Sequence, residues 1–204
     1  MNAPSMSRWR NWLCRLGHFS GGPGEITLAG TIVNSQGTGG SGMRVFGQWA
    51  LVYCVAGRCL YKDERGTSAE LGPGSWILVF PEIGQSYGPA PGECWNEIYV
   101  CFRGPVFEAW REAGCFDPLR PTGSWLPPAQ GVRAFQKFFS EIQRKDCSSL
   151  KAVCLWQELL AEILGAPKGT GIQGEGWLKQ ALDFLEYSKL EGSTTLLRQA
   201  AQAC

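Results

Sequence analysis

The sequence predicts a mainly β protein in which antiparallel strands close into a small barrel and a pair of helices follows. Short apolar runs succeed one another with tight turns and no intervening helix until Gly104, which favours antiparallel strands over a parallel α/β sheet. After Pro105 the apolar residues take helical spacing. The 204 residues suffice for one domain with a substantial core and an appendage.

The first half of the chain contains the predicted strands. Residues 1–23, which end in glycine and proline, are expected to form a flexible arm, and Ile26–Val33 is the first strand. Val45–Val55 is apolar at both odd and even positions, so we expect a central strand that is covered on both faces. Arg58–Lys62 and Ala69–Leu71 make the next hairpin.

The stretch from 71 to 104 organises the predicted barrel. A Gly-Pro-Gly turn leads into the apolar strand Trp76–Phe80, which Pro81 ends. After a bend and a Pro-Ala-Pro-Gly turn at 89–92, the strand Cys94–Phe102 follows. A strand, a proline-closed corner, a tight turn and a second strand are typical of a small barrel whose mouth holds a ligand.

The second half of the chain is predicted to be helical. Val106–Ala113 forms a helix that Gly114 ends, and an irregular crossing over 117–128 follows. Two further helices are predicted at 131–144 and 149–164.

The rest of the chain divides into a linker and a short helical segment. Residues 165–176 are rich in glycine and predict the linker, and residues 177–204 again show helical spacing.

Several of these residues occur in an order that identifies a family. A Pro-Gly turn, a strand ended by Pro81, the Tyr87-Gly88 pair, and Trp95 seven residues before Phe102-Arg103-Gly104 follow one another. This order resembles the cupin-type sensing domain of AraC-family bacterial transcription regulators. The resemblance implies a cupin-like antiparallel β-barrel of the jelly-roll type that binds a small effector.

The resemblance also implies a division of labour along the chain. Residues 24–164 are identified as an effector-binding domain with dimerisation helices, and residues 177–204 resemble the start of a truncated helix-turn-helix domain. We therefore expect a homodimer that contacts DNA only through a domain largely missing from this chain. One departure is that many family members carry histidine where this chain has Gln85.

Five residues are candidates for contacting the effector. Alternation places Glu97 and Tyr99 on one strand face, and Gln85 and Tyr87 share a face of the preceding segment. Carboxylate and carboxamide groups take hydroxyls and an aromatic ring stacks on C–H faces, so the set suits a sugar. By resemblance these four match positions that line the family's effector pocket, and Arg44 lies near a family pocket arginine.

Metal, cofactor and catalytic chemistry are not expected. The single histidine, His18, lies in the predicted arm, and no Cys-x-x-Cys pair occurs among the nine cysteines. A transition-metal site needs three or four such ligands, and a hydrolytic triad needs a histidine base. We therefore predict no metal, no cofactor and no catalytic residue.

The composition indicates which partners and which cellular compartment to expect for the protein. Lysine plus arginine number 19 and aspartate plus glutamate 18, so no basic surface for phosphates is indicated. The cysteine pattern favours reduced thiols, no run reaches the roughly 18 apolar residues of a membrane helix, and residues 1–20 lack a signal-peptide core. We expect a cytoplasmic protein with no membrane partner.

Alternatives remain for single residues and for the whole chain. Tyr87 and Tyr99 could be core aromatics, and Glu97 could pair with Arg44 or Arg103. The rivals to a sensing domain are a non-metal cupin enzyme of sugar metabolism and a pure oligomerisation module with a filled barrel.

The helix predicted at 149–164 carries an apolar stripe that is wider than one packing face requires. The stripe predicts dimerisation through Leu155, Leu159 and Ile163, unless it only covers the barrel.

Overall fold

The computed structural model describes residues 12–14, 22–38 and 42–165. In chain order the elements are β1 Trp12–Cys14, β2 Glu25–Ile32, β3 Trp49–Gly57, β4 Cys59–Asp63, β5 Ser68–Leu71, β6 Ser75–Val79, β7 Gln85–Pro89, β8 Trp95–Arg103, α1 Pro105–Glu112, β9 Thr122–Ser124, α2 Pro128–Ile142 and α3 Ser149–Gly165. None of the described helices combines the length and the apolarity needed to cross a membrane.

The strands form two antiparallel sheets. The larger sheet has the order β1-β2-β8-β3-β6-β9, and the smaller has the order β5-β4-β7. The predicted central strand is confirmed, because β3 pairs with β8 on one side and β6 on the other. The mainly β fold with C-terminal helices is confirmed as cupin-like, although hydrogen bonding yields two sheets instead of one continuous closed barrel.

Two hydrophobic cores lie on opposite faces of the larger sheet. Trp49, Leu51 and Tyr53 of β3 pack in a core shared with the helices, where Phe135 and Trp156 join them. The alternate β3 residues face the smaller sheet instead, in a core whose buried members are Ala50, Val52, Cys54, Cys59, Tyr61, Leu71, Ile77, Val79, Trp95 and Cys101. The period of two along a strand thus separates a helix-covered face from an interior face.

Helix α2 packs closely against β3 because of a glycine. A Cβ added at Gly131 would lie 2.2 Å from the hydroxyl oxygen of Tyr53 and 2.5 Å from Cζ of its ring. The Tyr53 hydroxyl donates a hydrogen bond to the carbonyl oxygen of Leu126, 2.9 Å away, just before the helix. Only a residue without Cβ permits this approach.

The structure differs from the sequence predictions at short elements. Residues 12–14, predicted as part of the arm, pair with β2, and β9 pairs with β6 inside the stretch predicted as irregular. Strand β3 begins at Trp49 instead of Val45, after Gly47 with φ 78°. Helix α2 begins three residues earlier than predicted, with Pro128 at a first-turn position that tolerates proline.

The predicted linker at 165–176 and the helix-turn-helix start at 177–204 lie, except for Gly165, outside the described residues. Most of the predicted arm lies outside them too.

Candidate functional site

Strand β8 presents polar and aromatic side chains to the interior between the two sheets. Trp95 and Cys101 belong to the interior core, and Tyr99 packs against it while partly exposed. Glu97 is only 4% exposed. The predicted common face of Glu97 and Tyr99 is therefore observed and extends to Trp95 and Cys101, while Ile98 between them faces the helices.

Strand β7 lies across the interior and brings Gln85 and Tyr87. The Gln85 side chain is 1% exposed, and the Tyr87 ring centroid lies 6.3 Å from that of Trp95. Arg44 and Gln85 exchange two backbone hydrogen bonds, with N···O distances of 2.8 and 3.1 Å. Arg44 itself is exposed, and its guanidinium carbon lies 4.8 Å from the centroid of the Phe46 ring at the rim of the interior core.

Several buried polar atoms of this interior lack a hydrogen-bond partner within the protein. They are Oε2 of Glu97, both side-chain polar atoms of Gln85, and Nε1 of Trp95. Leaving a buried donor or acceptor unpaired costs about 1–3 kcal/mol. These three side chains lie on β7 and β8, which wall the interior, so their unpaired groups make the interior a candidate site for a polar ligand.

The Glu97 carboxyl group is partly protonated near neutral pH. Its Oε1 accepts a hydrogen bond from the Ser35 hydroxyl at 2.9 Å. Burial raises the pKa of Glu97 to about 7, and Ser35, Trp95 and Arg44 oppose that rise. The Trp95 indole N–H lowers the pKa of Glu97 because it stabilises the charged carboxylate. The indole is nevertheless not within ordinary hydrogen-bond geometry of any acceptor. Near neutral pH the carboxyl group can therefore either donate or accept.

The ion pairs considered as an alternative role for Glu97 are not formed among the described residues. Arg103 pairs with Glu25 instead, and no salt bridge within 4.0 Å joins Arg44 to Glu97 among the described residues. Arg44 acts on Glu97 only through its charge.

A second buried carboxylate, Asp63, shows the contrasting case. Its Oδ1 accepts from the backbone N–H groups of Arg65 and Thr67 at 3.0 and 2.9 Å, and its Oδ2 accepts from the Tyr61 hydroxyl at 3.1 Å. Every carboxylate oxygen is thus paired within the β4–β5 hairpin. Asp63 has a structural role and is not part of the site.

The cysteines that line the interior offer no nucleophile or metal cluster. Burial raises the pKa of each of the Cys54, Cys59 and Cys101 thiols to about 12. A thiol that stays protonated is a poor nucleophile and a poor metal ligand. In the described ranges, no group of three or more His, Cys, Asp or Glu side chains could hold a metal ion.

An open groove on the outer face of the smaller sheet is a weaker candidate. It has a volume of about 720 Å³, and Leu60, Lys62 and Ser86 line it. The Leu60 and Lys62 side chains are exposed, and none of the unpaired buried atoms belongs to a residue that lines this groove. We therefore assign the site to the interior between the sheets.

The structure brings most of the predicted ligand residues together. Gln85, Tyr87 and Glu97 reach the interior, Tyr99 flanks it, and Arg44 lies at the rim. Contact with a ligand remains a prediction for all five.

Two residues escaped the sequence prediction of the site. Trp95 lies two residues before Glu97 on the same strand face, and this alternation is the signal that could have found it. Ser35 lies in a glycine-rich stretch that carries no periodic signal.

The predicted dimerisation residues differ in exposure. Leu159 and Ile163 are 7% and 1% exposed and pack inside this chain, whereas Leu155 is partly exposed. Leu155 and Phe138 line a groove of about 200 Å³ between α2 and α3. Within the predicted set, Leu155 is the most exposed side chain, and Leu159 also lines this groove.

Comparison with known proteins adds a family and several similar folds. The model of the AraC-like ligand binding domain matches residues 27–160. No curated protein sequence matches the chain significantly.

Among solved structures, YhaK from Escherichia coli is 14% identical with a TM-score of 0.39, covering 47% of this chain and 45% of its own. The AraC-like activator CuxR is 13% identical with a TM-score of 0.42, covering 84% and 61%. ToxT from Vibrio cholerae with an unsaturated fatty acid bound is 9% identical with a TM-score of 0.40, covering 65% and 50%. The chain thus spans about half to three fifths of the length of these proteins.

Proposed function

This chain belongs to the family of AraC-like ligand binding domains, and we propose that it senses a small, neutral, polar effector, a sugar, between its two sheets. The observation that carries the proposal is that Gln85, Trp95 and Glu97, on the strands that wall this interior, all have buried polar atoms without a hydrogen-bond partner in the protein. In this role the chain would serve as the sensing and dimerisation region of a cytoplasmic transcription regulator.

The chemistry of the interior supports a sugar. The Gln85 carboxamide offers two donors and an acceptor, and Oε2 of Glu97 offers a further acceptor near neutral pH. Adjacent sugar hydroxyls both donate and accept, so they match this mixture of groups. The Tyr87 and Trp95 rings supply flat apolar surface for the C–H face of a sugar ring.

A fatty acid, the ligand bound to ToxT, fits this interior less well. An aliphatic tail would leave the Gln85 carboxamide and Glu97 unpaired, at a cost of about 1–3 kcal/mol for each group. A fatty-acid carboxylate would in turn meet the like charge of Glu97. These residues therefore favour a neutral ligand over an anionic one.

Enzymatic turnover is the second candidate and is less supported. Glu97, with its pKa near 7, could act as an acid or base, but sugar isomerisation requires a second group opposite it. The interior thiols stay protonated. We therefore infer that this chain binds its ligand without converting it.

A thermal-shift screen of the full chain tests the proposal. The probes are neutral pentoses and hexoses, uronic acids and long-chain fatty acids. A ligand at 100 times its dissociation constant stabilises the folded state by about 2.7 kcal/mol. We expect neutral sugars to raise the midpoint of unfolding and uronic acids to have a smaller effect. Stabilisation by fatty acids alone, or conversion of a stabilising sugar, would contradict the proposal.

A further inference from the structure

Residues Asn34–Thr38 cross from the larger sheet to the smaller sheet beside the proposed site. The backbone N–H of Ser35 donates to the carbonyl oxygen of Trp95 on β8 at 2.8 Å, and that of Thr38 donates to the carbonyl oxygen of Tyr87 on β7 at 2.8 Å. Strands β7 and β8 belong to different sheets and share no ladder. This segment, called here the 34–38 bridge, is therefore hydrogen-bonded to both walls of the site.

At one end of the bridge, the Ser35 hydroxyl holds the Glu97 carboxyl. Ser35 is 4% exposed. Its hydroxyl donates to Oε1 of Glu97 at 2.9 Å and accepts from the backbone N–H of Gly37 at 3.0 Å. The backbone N–H of Gly37 can only donate, so the Ser35 hydroxyl accepts there and its single proton is available for the ionised Glu97 carboxylate. Ser35 thereby occupies one carboxyl oxygen and leaves Oε2 unpaired toward the interior.

At the other end, the bridge is tied to β7. The Thr38 hydroxyl donates to the carbonyl oxygen of Tyr87 at 3.1 Å and lies 3.2 Å from the Tyr87 backbone N–H, from which it accepts. Gly37 adopts φ 60°, and a Cβ there would lie 2.1 Å from that same carbonyl oxygen. The bridge therefore presses against the strand that carries Gln85.

We propose that Ser35 is a positioning residue that couples the Glu97 carboxyl to β7 through the 34–38 bridge. A change in the charge of Glu97 then alters the hydrogen bonds of the bridge and its attachment to β7. An ionised carboxylate accepts a stronger hydrogen bond than a neutral carboxyl group. A hydroxyl that donates to an anion also becomes a better acceptor. Ionisation of Glu97 therefore strengthens the Gly37–Ser35 bond and tightens the bridge.

Among the described groups that face Glu97, no other group titrates near neutral pH. Burial raises the pKa of the neighbouring thiols and phenols, so they stay neutral, and an arginine guanidinium stays charged. These neighbours are Cys54 on β3, Cys59 on β4, Tyr87 on β7, Tyr99 and Cys101 on β8, and Arg44 at the rim.

Titration of the Glu97 carboxyl can therefore be used to probe the coupling. The role of the bridge in sensing rests on the proposed function, but the coupling itself needs no sugar. In the full chain without added ligand, we would follow the Glu97 carboxyl by carbon-13 NMR. Amide hydrogen exchange at Gly37 and Tyr87 would be measured at the same pH values, as protection factors that remove the intrinsic pH dependence of exchange.

We expect the protection factors of both amides to rise with pH. The midpoint of this rise should equal the midpoint of the Glu97 titration. A rise of about fivefold at Gly37 corresponds to about 1 kcal/mol, the typical net contribution of one hydrogen bond. In Ser35→Ala the pH dependence of protection should vanish and the Glu97 midpoint should move to higher pH. In Glu97→Gln protection should stay at its low-pH level throughout.

Ser68→Ala is the matched control, because it removes an exposed hydroxyl from β5, and it should leave both readouts unchanged. The proposal is overturned if protection at Gly37 does not follow the Glu97 titration, or if Ser35→Ala retains the pH dependence. Failure of every sugar to bind would contradict the proposed function and leave this coupling intact.

Discussion

Two carboxyl groups are buried among the described residues, and their surroundings give them different roles. Asp63 has both oxygens paired within a hairpin, whereas Glu97 has one oxygen paired with Ser35 and one unpaired. Burial without full pairing disfavours the charged form. A group in this state weakens the folded protein and is available to a ligand.

The pKa of Glu97 predicts a pH-dependent effect of Glu97→Gln on stability. The folded-state pKa of about 7 lies above the ordinary value of 4.5, so the folded state binds more protons between these values. The stability that Glu97 contributes therefore falls as pH rises from about 4.5 to 7, and changes no further above that range. Glu97→Gln, which keeps an acceptor for Ser35, should be more stable than the wild type at pH 8. The expected difference is on the order of 3 kcal/mol.

Chemical denaturation at pH 4.5 and pH 8 measures this difference. At pH 4.5 the two proteins should be of nearly equal stability. Glu162→Gln on the exposed side of α3 is the control and should match the wild type at both values. An equal gap between Glu97→Gln and the wild type at the two pH values would refute the stated pKa.

Strand alternation was enough to group the side chains of the site but not to find their support. It placed Glu97 with Tyr99 and Gln85 with Tyr87 on common faces, because a strand repeats every two residues. Ser35 is separated from Glu97 by 62 positions in sequence. No local pattern reports such a contact, so this part of the site required the structure.

At the scale of elements, the contact of α2 with β3 depends on Gly131. Ala is the better helix former by about 1 kcal/mol, but its Cβ would lie within 2.5 Å of two atoms of the Tyr53 side chain. The Tyr53 ring is fully buried and cannot move aside. Overpacking costs typically about 1–3 kcal/mol, so after the gain in helix propensity Gly131→Ala should destabilise the fold by up to about 2 kcal/mol in urea titration.

A control and a double variant sharpen this test. Gln136→Ala changes an exposed position of the same helix and should have little effect on stability. Tyr53→Phe removes the nearest clashing atom, so the cost of Gly131→Ala should be smaller in that background. A Gly131→Ala variant that is as stable as Gln136→Ala would show that α2 does not need this close approach.

The longer elements could be predicted from sequence, and the shortest could not. The three helices have apolar residues at helical spacing over at least two turns, and their positions were predicted within a few residues. Strands β1 and β9 have three residues each, too few to show a period. They exist because β2 and β6 offer free edges for pairing.

At the scale of the molecule, the larger sheet separates the helix-packed core from the proposed binding interior. Its outer face forms the core with the helices, and its inner face forms the proposed binding interior. The fold class was predictable because strands and helices are segregated along the chain, and the family match over residues 27–160 confirms the resemblance seen in the sequence. Which polar groups stay unpaired in the interior was not predictable, since that depends on packing across both sheets.

On the helical side of the molecule, we predict dimerisation through the groove that Leu155 and Phe138 line. Leu155→Glu would place a charge on this partly exposed apolar surface and should yield monomers in sedimentation, with the β fold intact by circular dichroism. Cys154→Glu adds the same side chain at an exposed neighbouring position outside the groove and should remain dimeric. A wild-type chain that sediments as a monomer at high concentration would contradict this prediction.

The central claim is that unpaired interior groups bind a neutral sugar, and calorimetric titration tests it most directly. Neutral pentoses and hexoses would be titrated into the wild type, Gln85→Ala, Glu97→Ala and the control Ser68→Ala. We expect the wild type and the control to bind the same sugar equally. Each interior variant should bind it roughly 5- to 150-fold more weakly, equivalent to about 1–3 kcal/mol for the lost hydrogen bonds. Equal affinity of all four proteins for that sugar would contradict the assignment of the site.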